Sequence, residues 1–174
     1  MLKKITYILL FTVLFTTQVS HAAGYVCIGT MYMSDSSGIE GSTTNTSRTM
    51  IDLGAGKIYA NGFTLGGMYG SEKYDNGTST FNRTGIGPTV GYVKNKAAGF
   101  FILGTYFINP TMTGGYKGNG YQIDVGYRFA LDNISIAPQF SKKSFTYDEV
   151  SGQSISPAFV EDRIDPYFVV WIPF

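Results

Sequence analysis

Histidine, cysteine and charged side chains are all scarce in this chain. It has one histidine and one cysteine, and only 14% of its residues are charged. A single cysteine, Cys27, excludes an intramolecular disulfide. Histidine is the commonest metal ligand and general base, so a single copy argues against histidine-dependent catalysis. The nucleophile motif G-x-S-x-G is also absent from the sequence. We therefore expect no catalytic residues, no metal and no cofactor.

Long hydrophobic runs are lacking outside the N-terminus. Two lysines precede a short apolar core over 5–15, and Ser20 and Ala22 are small residues suited to a cleavage site. This pattern predicts a secretory signal peptide over 1–22, with an uncleaved anchor as the alternative. Its removal takes away the only histidine and two lysines, which changes the formal net charge from +1 to −1. The remaining 23–174 has no run long enough for a transmembrane helix and no basic surplus for nucleic acid.

Alternation of large apolar with small or polar residues runs through the rest of the chain. In the clearest case, Tyr121, Ile123 and Val125 alternate with Gln122 and Asp124. A period of two is typical of β-strands. We predict eight of them, at 25–33, 49–56, 63–70, 85–92, 99–108, 121–131, 134–141 and 159–174. Only a closed barrel crosses a membrane without helices, because lipid offers no partners for backbone polar groups. The sequence therefore predicts one all-β domain over 23–174, an eight-stranded antiparallel up-and-down transmembrane β-barrel.

The segments between the predicted strands alternate in length. The long ones, at 34–47, 72–82, 109–118 and 146–156, are rich in Ser, Thr, Asn and Gly, and the short ones lie at 57–61, 94–97 and 132–133. Outer-membrane barrels combine long external loops with short periplasmic turns. We therefore expect four polar external loops, whose ligand the sequence does not identify.

Five charged residues share the small-residue face of the strands, which we assign to the lumen: Asp52, Asp124, Arg128, Arg163 and Asp165. Unpaired charges are costly in a narrow interior, so we expect these residues to have partners. Asp124 and Arg128 lie about 13 Å apart along one strand and cannot pair with each other. Such a cluster forms either a structural plug of salt bridges, which we expect, or a gate or ion path.

Aromatic residues and glycines give three further expectations. Bulky lumen residues on the fifth strand, Phe101, Leu103 or their neighbours, should fill the space left by glycines in the second to fourth strands. Trp171 faces the lumen by parity, and we interpret it as the floor of the plug. Aromatic girdles are expected from Tyr92, Tyr127 and Phe129 at one end and from Tyr32, Phe81, Tyr116 and Tyr147 at the other. A binding surface is the alternative for the second group.

The last strand presents an apolar face that ends on an aromatic residue. Phe168, Val170, Ile172 and Phe174 share one parity. With the glycine-rich strands and the signal peptide, this ending resembles the small eight-stranded outer-membrane barrel families, such as the OmpA transmembrane domain, OmpX and OmpW. The resemblance implies a bacterial outer-membrane location, contact with lipid, and recognition of these four residues by the barrel-insertion machinery.

The resemblance implies an architecture and not a single activity. We expect a structural or surface-interaction role through the external loops, with a lumen closed by side chains. The alternative is a narrow porin-like or OmpW-like conduit for small or hydrophobic molecules. A lipid-modifying outer-membrane enzyme is a third and weaker hypothesis, because such enzymes depend on histidine.

Overall fold

The computed structural model describes residues 23–39, 42–94 and 98–174, so the predicted signal peptide lies outside the described residues. Eight β-strands dominate this part of the chain, as the alternation predicted. They are β1 (Ala23–Ile39), β2 (Ser42–Ile58), β3 (Phe63–Asp75), β4 (Thr80–Val93), β5 (Gly99–Met112), β6 (Tyr116–Leu131), β7 (Ile134–Val150) and β8 (Gln153–Pro173). Within the described ranges there is no helix long and apolar enough to cross a membrane.

The strands form a closed, strongly staggered ring. Each strand pairs antiparallel with the next in sequence, and β8 pairs with β1. Following the paired residues from Tyr25 around the ring leads to Arg163 on β8, whereas the direct β8 partner of Tyr25 is Pro173. The offset, 173 − 163 = 10 residues, is the shear of the barrel. With this shear the eight strands tilt by about 40° from the barrel axis.

The strands are longer than predicted. β7 and β8 run to a turn at Ser151 and Gly152, and paired strands also occupy most of the predicted loops at 34–47, 72–82 and 109–118. The prediction of four long loops is therefore wrong, and four β-hairpins project from one end of the barrel instead. Antiparallel pairing uses backbone groups alone, so it continues where Ser, Thr and Asn replace the alternating pattern.

The outer surface carries an apolar band. On β6 the outward side chains from Tyr121 to Leu131 are all apolar or aromatic and exposed, whereas Asn119 beyond them is polar. Ten residue steps of about 3.3 Å at a tilt of about 40° make this band about 25 Å high. The same border crosses β3, where outward Tyr69 is followed by outward Ser71.

Aromatic side chains mark both borders of the band. Outward tyrosines at or next to the hairpin-side border are Tyr32, Tyr69, Tyr106 and Tyr121, and outward aromatics near the other border are Tyr92, Phe100, Tyr127, Phe129 and Phe174. Tyr92, Tyr127, Phe129 and Tyr32 thus lie outward as predicted. The girdle interpretation is wrong for Tyr147, which is fully buried, and for Phe81 and Tyr116, which face the barrel interior. These three lie on inward positions of strands that extend past their predicted ends.

Glycines and large side chains interlock inside the barrel. Leu103 fits over Gly91, where an added methyl group would lie 2.9 Å from the leucine Cδ2. Phe107 covers Gly85 in the same way, at 3.0 Å. Leu103 and Phe101 are buried inward as predicted, but Phe101 packs against a glycine of β6 and not against β2–β4. Leu103 therefore fills the space beside Gly91, and Phe107, a neighbour on the same strand, fills the space beside Gly70 and Gly85.

The closing seam between β1 and β8 is paired along only part of its length. Pairs run from Tyr25 and Pro173 to Thr30 and Phe168, although both strands continue toward the hairpins. Two residues before Phe168 lies Pro166, which has no backbone N–H to donate and therefore suits a strand edge. Beyond this point, toward the hairpins, β1 remains paired with β2 and β8 remains paired with β7, but β1 and β8 are no longer paired with each other. The seam is therefore open toward the hairpin end.

Candidate functional site

Large side chains fill the end of the barrel opposite the hairpins. Trp171 is fully buried, with its ring centroid 4.8 Å from that of Tyr25 and 5.4 Å from that of Phe101. The Arg128 guanidinium lies over the Trp171 ring, 5.0 Å from its centroid. These residues form the floor of the interior, which is the position predicted for Trp171.

Above the floor, Asp124 is held by neutral donors. Its carboxylate accepts hydrogen bonds from Ser141 Oγ at 2.6 Å, Gln122 Nε2 at 2.8 Å and Gln139 Nε2 at 3.2 Å. Ser141 and Gln139 belong to the neighbouring strand β7. The expectation that Asp124 depends on a neighbouring strand, and not on Arg128, is therefore confirmed.

Asp52 forms the ion pair of this middle layer. Lys143 Nζ lies 3.1 Å from Asp52 Oδ2 and donates to the Tyr167 hydroxyl at 2.7 Å. Gln122 donates to Asp52 at 3.1 Å and so connects it to Asp124. All of these side chains are buried. The layer is thus a connected polar network inside the barrel.

Closer to the hairpins, three arginines converge on Glu72. Arg48 Nε lies 3.2 Å from one oxygen of the Glu72 carboxylate, and Arg83 and Arg163 form close ion pairs with the other. Glu72 is on β3 and Arg163 on β8, so the contact crosses the interior. This shared carboxylate ties β2, β3, β4 and β8 together.

Two more carboxylates complete this upper network. Glu161 pairs with Arg83 at 2.8 Å and closely with Arg163. Asp165 accepts from Arg163 Nε at 2.6 Å and lies 4.0 Å from Arg48. The upper network has three positive and three negative groups and is formally neutral. Lys143 and Arg128 likewise balance Asp52 and Asp124 in the layers below.

An open cavity of about 310 Å³ lies above the upper network, among the hairpins. Its floor is made of Arg48, Glu72, Arg83 and Glu161, and its walls of Tyr74, Phe81, Asn82, Met112 and Phe159. The rings of Tyr74 and Phe81 stack with centroids 6.4 Å apart, and Phe159 stacks on Tyr147 at 6.0 Å. We call this space the mouth cavity. It combines a charged floor with aromatic walls.

The five predicted lumen charges all lie in the interior, but at three different levels. Arg128 lies at the floor, Asp52 and Asp124 in the middle layer, and Arg163 and Asp165 in the upper network. Sequence reasoning missed five further members, Arg48, Glu72, Arg83, Lys143 and Glu161. Glu161 shares the parity of Arg163, and the other four lie within two residues of a predicted strand end. Extending each alternation outward would have found them.

The four predicted insertion-signature residues lie on one face of β8. Phe168, Val170, Ile172 and Phe174 all point outward and are exposed, while Trp171 between them points inward. The parity of this segment was therefore predicted correctly.

Comparison with known proteins finds no matching family model and no matching curated protein. Within the described ranges, no group of three or more histidine, cysteine, aspartate or glutamate side chains is arranged to hold a metal ion. The function is therefore inferred from the fold and from the geometry of the site.

Proposed function

We propose that this protein is an integral β-barrel of the bacterial outer membrane, with a closed lumen and a structural or surface-interaction role at its outer mouth. The apolar band of about 25 Å, with aromatic side chains at both borders, carries this proposal. Transmembrane barrels have an outward apolar band of this height between two aromatic girdles. The height of the band and the aromatic residues at its two borders both fit a bilayer.

The distribution of polarity supports lipid over water as the surroundings. Ile123, Val125 and Val90 are exposed on the outside, whereas Asp124 and Lys143 are buried inside. A soluble protein rarely exposes a continuous apolar surface larger than a few hundred Å². In lipid the same surface is stable, and, apart from the upper part of the β1–β8 seam, pairing between neighbouring strands satisfies the backbone groups that lipid cannot.

The assignment to the outer membrane draws on both ends of the chain. The predicted signal peptide over 1–22 would direct export. At the other end, Phe168, Val170, Ile172 and Phe174 present an exposed apolar face on the last strand. We propose that the barrel-insertion machinery recognises this face.

A closed interior supports a surface role over conduction. Trp171 and its neighbours fill one end, and the charges above them are ion-paired or, for Asp124, hydrogen-bonded to neutral donors. A buried charge left without its partner costs about 3–5 kcal/mol, which favours the paired arrangement. The hairpins and the mouth cavity are then the surfaces that can meet a ligand.

Membrane insertion is tested by two separate arginine substitutions, which lie at different heights on β6. Val125 lies near the middle of the band and Asn119 beyond its border, on the same face. In lipid vesicles, Val125→Arg should lower the unfolding free energy by about 2–4 kcal/mol, and Asn119→Arg by about 0–1 kcal/mol. Urea titration measures both. Equal effects of the two substitutions would reject insertion at this depth.

Lumen closure is tested by recording the refolded protein in planar bilayers. We expect no steady single-channel steps across salts and voltages. Steps that disappear in Asp124→Asn or Arg163→Gln would contradict the closed lumen and favour a pore.

The open seam supports a second candidate, a narrow conduit for hydrophobic molecules. Pairing of β1 with β8 ends at Thr30 and Phe168, below the outward Tyr32 and Ile164 that mark the upper part of the band. A molecule in the mouth cavity could therefore leave sideways into the bilayer. A disulfide across the seam, from cysteines at Ser34 and Ile164, which lie opposite each other when the β1–β8 register is continued, should block such transfer into vesicle lipid. Unchanged transfer in the cross-linked protein would reject this route.

A further inference from the structure

One arginine at the mouth cavity is less completely neutralised than its neighbours. Arg83 contacts Glu72 and Glu161, and Arg163 contacts these two carboxylates and a third. Arg48 shares Glu72 with both arginines, and its second carboxylate contact, to Asp165, is as long as 4.0 Å. Positive charge is therefore least compensated at Arg48.

Arg48 is also the most accessible of the three arginines. Its side chain is 26% exposed, against 8% for Arg83 and 9% for Arg163. The guanidinium is a planar fork of five N–H donors that matches a carboxylate in bidentate fashion. Stacking over the Tyr74 ring, at 4.9 Å from its centroid, holds this fork beside the cavity wall. Arg48 therefore has both the charge and the donors for an anionic group.

The walls and the volume of the mouth cavity define the rest of the ligand. Tyr74, Phe81 and Phe159 present aromatic faces, which prefer offset or edge contacts with another ring. An apolar cavity of about 150 Å³ accepts a benzene molecule. The mouth cavity, at about 310 Å³, has room for one ring and a short polar chain.

We propose that the mouth cavity binds a small aromatic carboxylate, with its ring between Phe81 and Phe159 and its carboxylate on Arg48. This inference rests on the proposed surface role and specifies the ligand class of that surface. It commits to a free aromatic acid and not to a fatty acid from the membrane, because the cavity is only about 310 Å³ in volume and has aromatic walls.

A third carboxylate, besides Glu72 and Asp165, lies near Arg48 without belonging to the proposed contact. Asp35 lines a neighbouring cavity of about 200 Å³, on the other side of Arg48 and Tyr74. Its charge opposes that of an anionic ligand. Asp35→Asn should therefore preserve or strengthen binding of the carboxylate. This variant checks that binding responds to charge in the direction expected for an anionic ligand.

The test uses the full folded chain in phosphatidylcholine nanodiscs and isothermal titration calorimetry. The probes are 3-phenylpropionate and its neutral amide. We expect the acid to bind about tenfold or more tightly than the amide, the effect of one charge-assisted hydrogen bond. Arg48→Gln should reduce binding of the acid to that of the amide, and Phe81→Ala should weaken both. Lys73→Gln is the matched control, because it also removes one positive charge close to Arg48. Lys73 lies on β3 directly opposite Thr49, the residue after Arg48, and its side chain is exposed.

Three results would overturn the proposal. They are equal binding of acid and amide, an unchanged acid preference in Arg48→Gln, and a loss in Lys73→Gln as large as that in Arg48→Gln. Tighter binding of hexadecanoate than of 3-phenylpropionate would reject the aromatic acid in favour of a membrane fatty acid. Failure to enter nanodiscs would count against the membrane barrel itself, whereas an inserted protein without binding rejects only this inference.

Discussion

Glu72 is the side chain whose loss should most affect the upper interior. It contacts Arg48, Arg83 and Arg163, and it is itself buried. Glu72→Gln keeps the size of the side chain and removes its charge. Three guanidiniums then share the two remaining carboxylates of the network.

The expected cost follows from the partners that remain. Removing one member of a buried ion pair costs about 3–5 kcal/mol. Arg83 and Arg163 keep Glu161, whereas Arg48 keeps only the 4.0 Å contact with Asp165. We therefore expect the lower end of the range, about 3 kcal/mol.

Urea unfolding in lipid vesicles measures this cost. The chain contains one tryptophan, Trp171, whose buried position makes its fluorescence a direct probe of the interior. Glu149→Gln is the matched control. Glu149 pairs with Lys117 at 3.6 Å in an exposed salt bridge, which is worth about 0–1 kcal/mol.

Two outcomes would refute this account of Glu72. One is a loss in Glu72→Gln no larger than in Glu149→Gln. The other is additivity with Arg83→Gln, because two residues of one buried network should not act independently.

Two further predictions concern packing. Gly85→Val should lower the unfolding free energy by about 1–3 kcal/mol, because the added side chain would press on Phe107. Adding Phe107→Leu to the same chain should recover part of this lost stability. No recovery in urea titrations would contradict the contact. Trp171→Ala should cost about 3–5 kcal/mol through the cavity it leaves, yet the variant should stay electrically silent because the ion network above persists. Steady current steps from Trp171→Ala would instead show that the side chains of the floor alone close the lumen to ions.

The middle of each strand could be predicted from the sequence, and the ends could not. Between Tyr121 and Leu131 the two faces differ sharply in polarity, and this contrast fixes both the strand and its orientation. Toward the hairpins, both faces carry Ser, Thr, Asn or charge, so the contrast between the two faces no longer shows where each strand ends. Glu72 lies in that region and was assigned to the loop at 72–82, and Arg48 lies one residue before the predicted start of its strand.

The grouping of the interior charges needed the register as well. A period of two gives the face of a residue but not its height in the barrel. Glu72 and Arg163 are 91 residues apart and meet because the shear of ten brings them to similar heights. Asp124 and Arg163 share the interior face, but the register places them in different layers.

The balance of the interior charges bears on what kind of barrel this is. An ion pathway selects by uncompensated rings of one sign. Here Lys143, Arg83 and Arg163 each pair with a carboxylate, and one oxygen of Asp124 accepts hydrogen bonds from neutral donors. Selective conduction would require the pairs to separate first. The place where a charge is both incompletely paired and accessible is Arg48, at the outer mouth. The same sharing of Glu72 that links the arginines of the upper network therefore leaves donor capacity on Arg48 at the surface, which supports the proposed ligand recognition at the mouth over a route along the lumen.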